Sequence, residues 1–202
     1  WLVLIDASGS MRTHVAQVTI ATTILMEVLR TLEVPFSVEA FKTQTDNKGI
    51  RSPLVRVLYN ASTSDRRAAF SFHDGELVLT SLDLEGGTDV YPCLQASFAK
   101  TFVETLPNGA AARRTHRMCL LISDCYSGEL LQDGGAPRFH DLTAKYGVNL
   151  ACFMVGRIAD ERITNVLKAI TGRRTGDTDL QREDCFELQQ SSIATDASKE
   201  DR

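Results

Sequence analysis

Short apolar runs alternate along this chain with segments of helical periodicity. The first run is Trp1–Ile5, followed directly by Asp6, and two further runs are Met118–Ile122 and Val148–Val155. Between the runs lie segments such as 14–32, whose apolar residues recur at steps of three and four. Wholly apolar runs of this length are typical of parallel strands that are buried on both faces. The alternation therefore predicts an α/β fold with a doubly wound, mostly parallel sheet and helices on both faces.

One strand of the predicted sheet has a different character. A strand at Phe36–Phe41 is followed by a polar stretch over 42–53, which predicts a loop, and then by Leu54–Tyr59. Because apolar residues alternate with Arg56 in the last of these, we expect a half-exposed, antiparallel edge strand there. Further helices are expected at 66–72, from Val90, at 138–146 and from Asp160. We also expect a strand or irregular segment at 76–82, a loop at 107–114 and a last strand at 185–188.

Chain length and composition favour one globular domain. With 202 residues, of which 43% are hydrophobic and 24% charged, the chain can bury a large core. We expect a single domain over residues 1–190, with a candidate insertion around 42–83 that can carry specificity, and a polar tail over 191–202. Because Trp1 stands inside an apolar run without an initiator methionine, we also expect the chain to be a segment of a longer protein.

Charge and cysteine usage narrow the expected partners and compartment. The net charge of −4 argues against a nucleic-acid partner, because nucleic-acid binders are usually basic. No apolar run approaches the length of a membrane span, so we expect no membrane contact by this segment. An odd number of widely spaced cysteines without a CxxC pair does not resemble a disulfide framework or a zinc site. We therefore expect reduced thiols and a cytoplasmic setting; the cysteines are Cys93, Cys119, Cys125, Cys152 and Cys185.

Polar side chains follow two of the buried strands at the sheet edge where such folds bind ligands. Asp6 and Asp124 come after the first and the fourth of the predicted strands. The first aspartate continues as DASGS, in which Ser8 and Ser10 alternate with it and can point the same way. A glycine-rich turn before a predicted helix adds the hydroxyl of Thr88. These five residues are predicted to form one divalent-metal site.

The five predicted ligands are all hard oxygen donors, which suit Mg²⁺ or Mn²⁺ and, less well, Ca²⁺. Two carboxylates roughly neutralise a dication, while hydroxyls and water fill the other positions. A site that is short of negative charge stays electrophilic, so it can recruit one more carboxylate from a partner protein. We expect four neighbouring residues to shape the site: Gly9, which lets the backbone turn between the serines, Gly87, Asp89 and Cys125.

The motif DxSxS after an apolar strand, followed in order by a threonine and an aspartate, resembles the metal-ion-dependent adhesion site of von Willebrand factor A domains. The matching stretches are Leu4–Met11, Gly86–Asp89 and Leu121–Asp124, and the resemblance covers about the whole chain. It implies a Rossmann-like sheet with Mg²⁺ or Mn²⁺ at its top, and protein recognition completed by an aspartate or glutamate of the partner. The Gly-Gly-Thr version is similar to intracellular and bacterial members, several of which work beside AAA+ ATPases. Cys125 departs from the pattern, because the family often has glycine there.

Other interpretations of these residues remain open at this stage. Asp6 alone also fits a helix cap, and Thr88 or Asp89 fits the N-cap of the helix that follows. A strand-end aspartate also fits a metal-dependent phosphatase-type hydrolase, although that class has a second carboxylate two residues on, where Ser8 stands. A third hypothesis is a structural domain whose site no longer binds metal. We expect a protein-interaction module rather than an enzyme, because the five oxygen-bearing residues come with no candidate nucleophile or general base. The sequence has no nucleophile elbow, which disfavours a serine hydrolase, and no phosphate-binding loop motif, which disfavours nucleotide binding.

Overall fold

The computed structural model describes residues 1–60, 82, 84–102, 117–124, 135–155 and 185–188. Several predictions lie outside these described residues: the helices at 66–72 and from Asp160, most of the segment at 76–82, the loop at 107–114, the tail at 191–202 and the residue Cys125.

One sheet forms the centre of the fold. Within the described residues it has six strands, which are β1 (Leu2–Asp6), β2 (Ser37–Thr45), β3 (Arg51–Asn60), β4 (Arg117–Ser123), β5 (Val148–Val155) and β6 (Cys185–Leu188). Their spatial order is β3-β2-β1-β4-β5-β6, and every neighbouring pair is parallel except β2 and β3. The chain builds the sheet first to one side of β1 and then to the other, so the strand order reverses between β1 and β4. The predicted mostly parallel sheet with one antiparallel edge strand is confirmed.

Helices cover both faces of this sheet, and in the described part of the chain they are a 3₁₀ helix at Gly9–His14, α1 (Val15–Thr31), α2 (Val90–Phe102) and α3 (Gly135–Tyr146). Successive residues of a strand point to opposite faces. Val3 and Ile5 accordingly belong to the apolar cluster under α1, whereas Leu2 and Leu4 belong to the cluster under α2 and α3. The doubly wound arrangement is therefore confirmed. Among the described helices, none is long and apolar enough to cross a membrane.

The predicted loop over 42–53 is wrong, because β2 and β3 both extend into it and leave only a tight turn between them. Asp46 Oδ1 closes this turn by accepting hydrogen bonds from the backbone N–H groups of Lys48 and Ile50, both at 2.8 Å. The stretch is polar because β2 and β3 pair there as a hairpin beyond the end of β1, where the hairpin tip is exposed to solvent. Strands in such a position need no apolar face.

The helix α1 buries a different stripe from the predicted one. Val18 and Leu29 are buried as expected, but Val28 and Leu32 are 46% and 66% exposed. Met26, which the periodicity did not select, is fully buried. Apolar residues surround most of this helix, so the sequence pattern alone does not determine which side meets the sheet.

The cysteines of the described residues support the sequence interpretation. Cys93, Cys119 and Cys152 are free and buried. Burial raises the pKa of the Cys119 thiol well above its ordinary value, because the charged thiolate is poorly solvated there. Cys119 and Cys152 are therefore small core residues, as predicted. The cytoplasmic setting stays a prediction.

Candidate metal centre

Asp6 lies at the centre of the predicted site. It ends β1, and its side chain is fully buried. Its Oδ1 accepts a hydrogen bond from the backbone N–H of Ser8 at 2.8 Å, and its Oδ2 accepts one from the hydroxyl of Ser123 at 2.6 Å. The hydroxyl of Thr88 lies 3.5 and 3.4 Å from the two carboxylate oxygens. Groups from three separate segments of the chain therefore meet at this carboxylate.

The two serines of the DxSxS motif also lie together. The chain turns into a 3₁₀ helix at Gly9, which leaves the hydroxyls of Ser8 and Ser10 only 3.0 Å apart. Ser8 is buried, whereas Ser10 is exposed, so the pair leads from the buried carboxylate to the protein surface. A ligand held by both hydroxyls would therefore be accessible from solvent.

The register between β1 and β4 decides which side chain stands beside Asp6. Ile5 pairs with Ile122, so the next residue of β4, Ser123, reaches Asp6 directly. Asp124 follows one residue further along and is half-buried. Sequence reasoning missed Ser123, although a hydroxyl that ends an apolar run immediately before a predicted ligand was a usable signal.

The environment of the Asp6 carboxylate indicates whether these residues can hold a cation. The pKa of Asp6 is raised from 3.8 to about 6. Burial is the largest cause, hydrogen bonds from Ser123 and Ser8 partly offset it, and the charge of Asp124 also raises the pKa. No basic side chain of the described residues forms an ion pair with Asp6. A buried carboxylate beside a second carboxylate, without a cationic partner, is an environment that a dication would stabilise. The donor set therefore fits a divalent metal.

The loop Gly86–Asp89 carries Thr88 to Asp6, and Thr43 on β2 holds this loop in place. The backbones of Thr43 and Gly87 exchange two hydrogen bonds, with N···O distances of 2.8 and 3.2 Å. The Thr43 hydroxyl also accepts a hydrogen bond from the backbone N–H of Asp89 at 2.8 Å. Sequence reasoning missed Thr43, because it lies in the stretch that was predicted to be a loop.

Glycine is required in this loop at Gly86. Its φ is +83°, and a Cβ atom there would lie 2.6 Å from the carbonyl oxygen of Thr43. The backbone N–H of Gly9 donates to the carbonyl of Gly86 at 3.3 Å. A Cβ atom on Gly9, however, would meet nothing closer than an ordinary contact at 3.7 Å. The chain turns at Gly9, but neither its φ nor a close contact requires glycine there, whereas Gly86 needs the backbone freedom of glycine.

Asp89 forms an ion pair that connects the loop to β3. Its Oδ1 lies 2.8 Å from Nη2 of Arg51 on β3. A Cβ atom on Gly87 would lie only 2.9 Å from the same nitrogen, so the guanidinium packs directly against the loop backbone. Arg51 is half exposed, so the ion pair adds little stability and acts mainly in placing the loop. Asp89 is thus engaged with Arg51, while the side chain of Thr88 lies against Asp6.

The structure brings together most of the predicted ligands. Asp6, Ser8, Ser10 and Thr88 are linked by short contacts, and Asp124 is close enough for its charge to act on Asp6. Across the described residues, no group of three or more histidine, cysteine and acidic side chains is arranged to hold a metal, either here or elsewhere. A cation here would therefore be held by carboxylate and hydroxyl oxygens together.

Comparison with known proteins gives matches in structure only. No family model and no curated protein sequence matches the chain. Proximal thread matrix protein 1 from the mussel byssus matches with a TM-score of 0.60 and 14% identity, over 93% of this chain and 42% of that one. A von Willebrand factor type A protein from Catenulispora acidiphila matches with a TM-score of 0.50 and 17% identity, over 84% and 36% of the chains. The pilus adhesin SpaC from Lactobacillus rhamnosus GG, in its open conformation, gives 0.57 and 14%, over 85% and 26%.

These matches show the fold of the chain. It has the von Willebrand factor A fold, as its motifs predicted, and it spans less than half the length of these three proteins. A further structure of the mussel protein has a zinc-occupied metal-ion-dependent adhesion site, and it matches with a TM-score of 0.53 and 15% identity, over 84% and 40% of the chains.

Proposed function

We propose that this chain is a metal-dependent protein-interaction module, in which Asp6, Ser8, Ser10, Thr88 and Asp124 hold a divalent cation. An aspartate or glutamate of a partner protein would complete the coordination of that cation. The observation that carries the proposal is the fully buried Asp6 carboxylate, which gathers hydroxyl groups from separate segments at the ligand-binding edge of the sheet. The similar fold of a protein with a zinc-occupied adhesion site supports it.

Mg²⁺ or Mn²⁺ is the cation that this donor chemistry favours, and Ca²⁺ is a weaker fit. All five proposed ligands offer oxygen, whereas zinc is usually bound by histidine and cysteine. When bound, the cation would supply an electrophilic centre that attracts a carboxylate oxygen. The chain itself contributes the charges of Asp6 and Asp124, which leave such a centre close to neutral and open to one more acid.

Calorimetric titration of the domain with MgCl₂ and MnCl₂ tests the site. We expect Asp6→Ala to lose measurable binding of both metals, because it removes the buried negative charge. The effect should exceed the roughly 10–100-fold loss that is usual for residues behind the ligands. Asp141→Ala is the matched control, since Asp141 is an exposed acid on α3, and it should bind as the wild type does. Unchanged binding by Asp6→Ala would reject the site.

The acidic partner is tested separately with two pools of synthetic peptides. One pool presents aspartate and glutamate, and the other presents asparagine and glutamine at the same positions. We expect the immobilised domain to retain the acidic pool in Mg²⁺ or Mn²⁺ and to release it in EDTA. Equal retention of the amide pool would contradict recognition of a carboxylate.

No contact of Asp6 favours the phosphatase-type alternative. Ser8 stands where that class has a second carboxylate, and both oxygens of Asp6 accept hydrogen bonds. Metal-dependent turnover of a generic phosphate ester that disappears in Asp6→Asn would establish the alternative. An association with an AAA+ ATPase, a cytoplasmic setting, and the lack of nucleic-acid and membrane partners remain predictions from the sequence.

A further inference from the structure

A line of polar contacts runs along the buried interface between α2 and β2, beside the apolar cluster that packs under α2 and α3. Its members on the α2 side are spaced by multiples of four residues, so they lie along one side of the helix. We call these contacts the polar seam; they are Asp89 N–H to Thr43 Oγ1 at 2.8 Å, Ser97 Oγ–H to Glu39 Oε2 at 2.6 Å and Thr101 Oγ1–H to Glu39 Oε1 at 3.2 Å.

Glu39 is the least expected member of the seam. It is the third residue of β2 and is only 1% exposed. Burying a carboxylate there costs free energy, whereas burying an apolar side chain of similar size would not. Each of its oxygens accepts a hydrogen bond from one hydroxyl, and the two donors, Ser97 and Thr101, lie one helical turn apart. Between them and the start of α2, the thiol of Cys93 adds a weaker contact with the backbone oxygen of Lys42 at 3.6 Å.

Hydrogen bonds and apolar contacts constrain a helix differently. Apolar packing is non-directional, so it tolerates small shifts of α2 along its own axis. Hydrogen bonds weaken steeply with distance and angle, so they oppose such shifts. Because the seam has contacts at both ends of α2, near Asp89 and near Thr101, it defines the position of the helix along β2.

The end of the polar seam at Thr43 and Asp89 adjoins the metal site. Thr88 directly precedes Asp89, whose backbone N–H is bound to Thr43. The Thr88 hydroxyl lies 3.4 Å from Asp6 Oδ2. A shift of the helix by a single residue, about 1.5 Å along its axis, would be enough to take this hydroxyl out of reach of a shared ligand.

We propose that Thr43 and Glu39 are positioning residues of the metal site. Through the polar seam they set the position of α2 along β2, and so they hold the Thr88 hydroxyl where it can bind the cation. The inference rests on the proposed function, since it concerns the same cation at Asp6. Neither residue contacts Asp6 in the hydrogen bonds of the described residues, so both act through the helix.

Glu39→Met and Glu39→Gln are the variants that test the seam. Glutamine keeps the length of the side chain and can hydrogen-bond with both hydroxyls, whereas methionine is of similar size and cannot. We expect the dissociation constant for Mn²⁺, measured by calorimetry, to rise roughly tenfold in Glu39→Met and to stay within about twofold in Glu39→Gln. Equal dissociation constants in the two variants would overturn the proposal.

A double-mutant cycle separates positioning of Thr88 from a general weakening of the fold. If the seam acts through Thr88, adding Glu39→Met to Thr88→Ala should cause no further loss of Mn²⁺ affinity. Ser37→Ala is the matched control on the same strand, because the Ser37 hydroxyl binds the backbone oxygen of Tyr59 instead of α2. Additive losses in the cycle, or a comparable loss in Ser37→Ala, would count against positioning.

Hydrogen exchange gives a readout that needs no metal. We expect the backbone amide of Asp89 to exchange faster in Glu39→Met than in Glu39→Gln, because its bond to Thr43 depends on the position of α2. Equal exchange rates would overturn the seam. If the wild type bound neither Mg²⁺ nor Mn²⁺, the proposed function would fail and this inference with it. If metal binding depended on Asp6 but the two Glu39 variants bound alike, only the seam would fail.

Discussion

At the scale of single residues, burial controls the charge of the candidate centre. Asp6 is withdrawn from water, while Asp124 is half-buried and Ser10 is exposed. Along the site, the buried Asp6 carboxylate resists ionisation, whereas the hydroxyl of Ser10 is accessible to solvent. This difference matters because a dication would stabilise the ionised form of Asp6, whereas protons compete with it for the same oxygens.

The metal-free domain should lose stability as the pH rises from about 4 to about 6. The pKa of Asp6 is about 6 in the folded chain and 3.8 when exposed, so the folded state binds the proton more tightly. Stability contributed by this proton is complete below the lower value and is lost as the pH passes the higher one. The two pKa values correspond to a loss of about 3 kcal/mol.

Urea unfolding of metal-free wild type and Asp6→Asn at several pH values measures this loss. Asparagine does not titrate, so the stability of the wild type should fall relative to the variant between pH ~4 and pH ~7. Parallel stability profiles for the two proteins would show that Asp6 does not have the raised pKa.

Two glycines with left-handed backbones allow a matched test of the loop that carries Thr88. Gly49 has φ +77° with nothing within 4 Å of an added Cβ, whereas an added Cβ on Gly86 would lie 2.6 Å from a backbone oxygen. We expect Gly49→Ala to cost about 1 kcal/mol and Gly86→Ala at least about 1 kcal/mol more. Only Gly86→Ala should weaken Mn²⁺ binding in calorimetry. Equal effects of the two substitutions would mean that the close contact with Thr43 is unimportant.

At the scale of elements, contacts with the sheet determine which side of a helix is buried. The exposed residues Ile20, Ile24, Val28 and Leu32 of α1 and its end recur every four positions, as a buried stripe would. The sheet instead receives the stripe that contains Met26. An apolar residue on this helix is therefore a core residue only if its angular position faces the strands.

Alanine substitutions in α1 should differ strongly between its two stripes. Met26→Ala should cost about 2–5 kcal/mol, because it opens a cavity beneath the helix. Val28→Ala should change the stability by less than about 0.5 kcal/mol, since Val28 is 46% exposed. The free energy of unfolding in urea measures both, and a similar cost for the two would place Val28 in a buried interface.

At the scale of the whole molecule, strand order brings distant segments of the chain together. The order reverses between β1 and β4, so their carboxyl ends lie side by side. The loop before α2 then adds Thr88, which is 82 positions from Asp6 in the chain. A cation at this point would connect the end of β1, the loop before α2 and the residue after β4, so metal binding should stabilise the entire fold.

Metal should raise the melting temperature of the wild-type domain. At a concentration about 100 times the dissociation constant, a ligand that binds only the folded state adds about 2.7 kcal/mol, or roughly 5–10 °C for a chain of this size. Differential scanning fluorimetry in Mg²⁺ or Mn²⁺, reversed by EDTA, measures the shift. Asp6→Ala should show none and Asp141→Ala the full shift. A wild type without any shift would favour a structural domain whose site no longer binds metal.

The sequence by itself determined the class of fold and most of the candidate ligands. Buried parallel strands are mostly apolar, so β1, β4 and β5 were recognisable from local composition, and helical periodicity located α1, α2 and α3. The candidate ligands Asp6, Ser8 and Ser10 share one short motif. Asp124 follows from the rule that ligands bind at the ends of parallel strands, and Thr88 from the glycine-rich turn before a predicted helix.

Only the tertiary structure decided which other side chains support these ligands. Ser123 meets Asp6 because of the register between β1 and β4, and Thr43 meets the loop before α2 because β2 extends further than its composition indicated. The need for glycine at Gly86, and not at Gly9, follows from a contact with β2. These features depend on distances between segments that are far apart in the chain, and a linear pattern of residue types contains no information about such distances until the strands are paired.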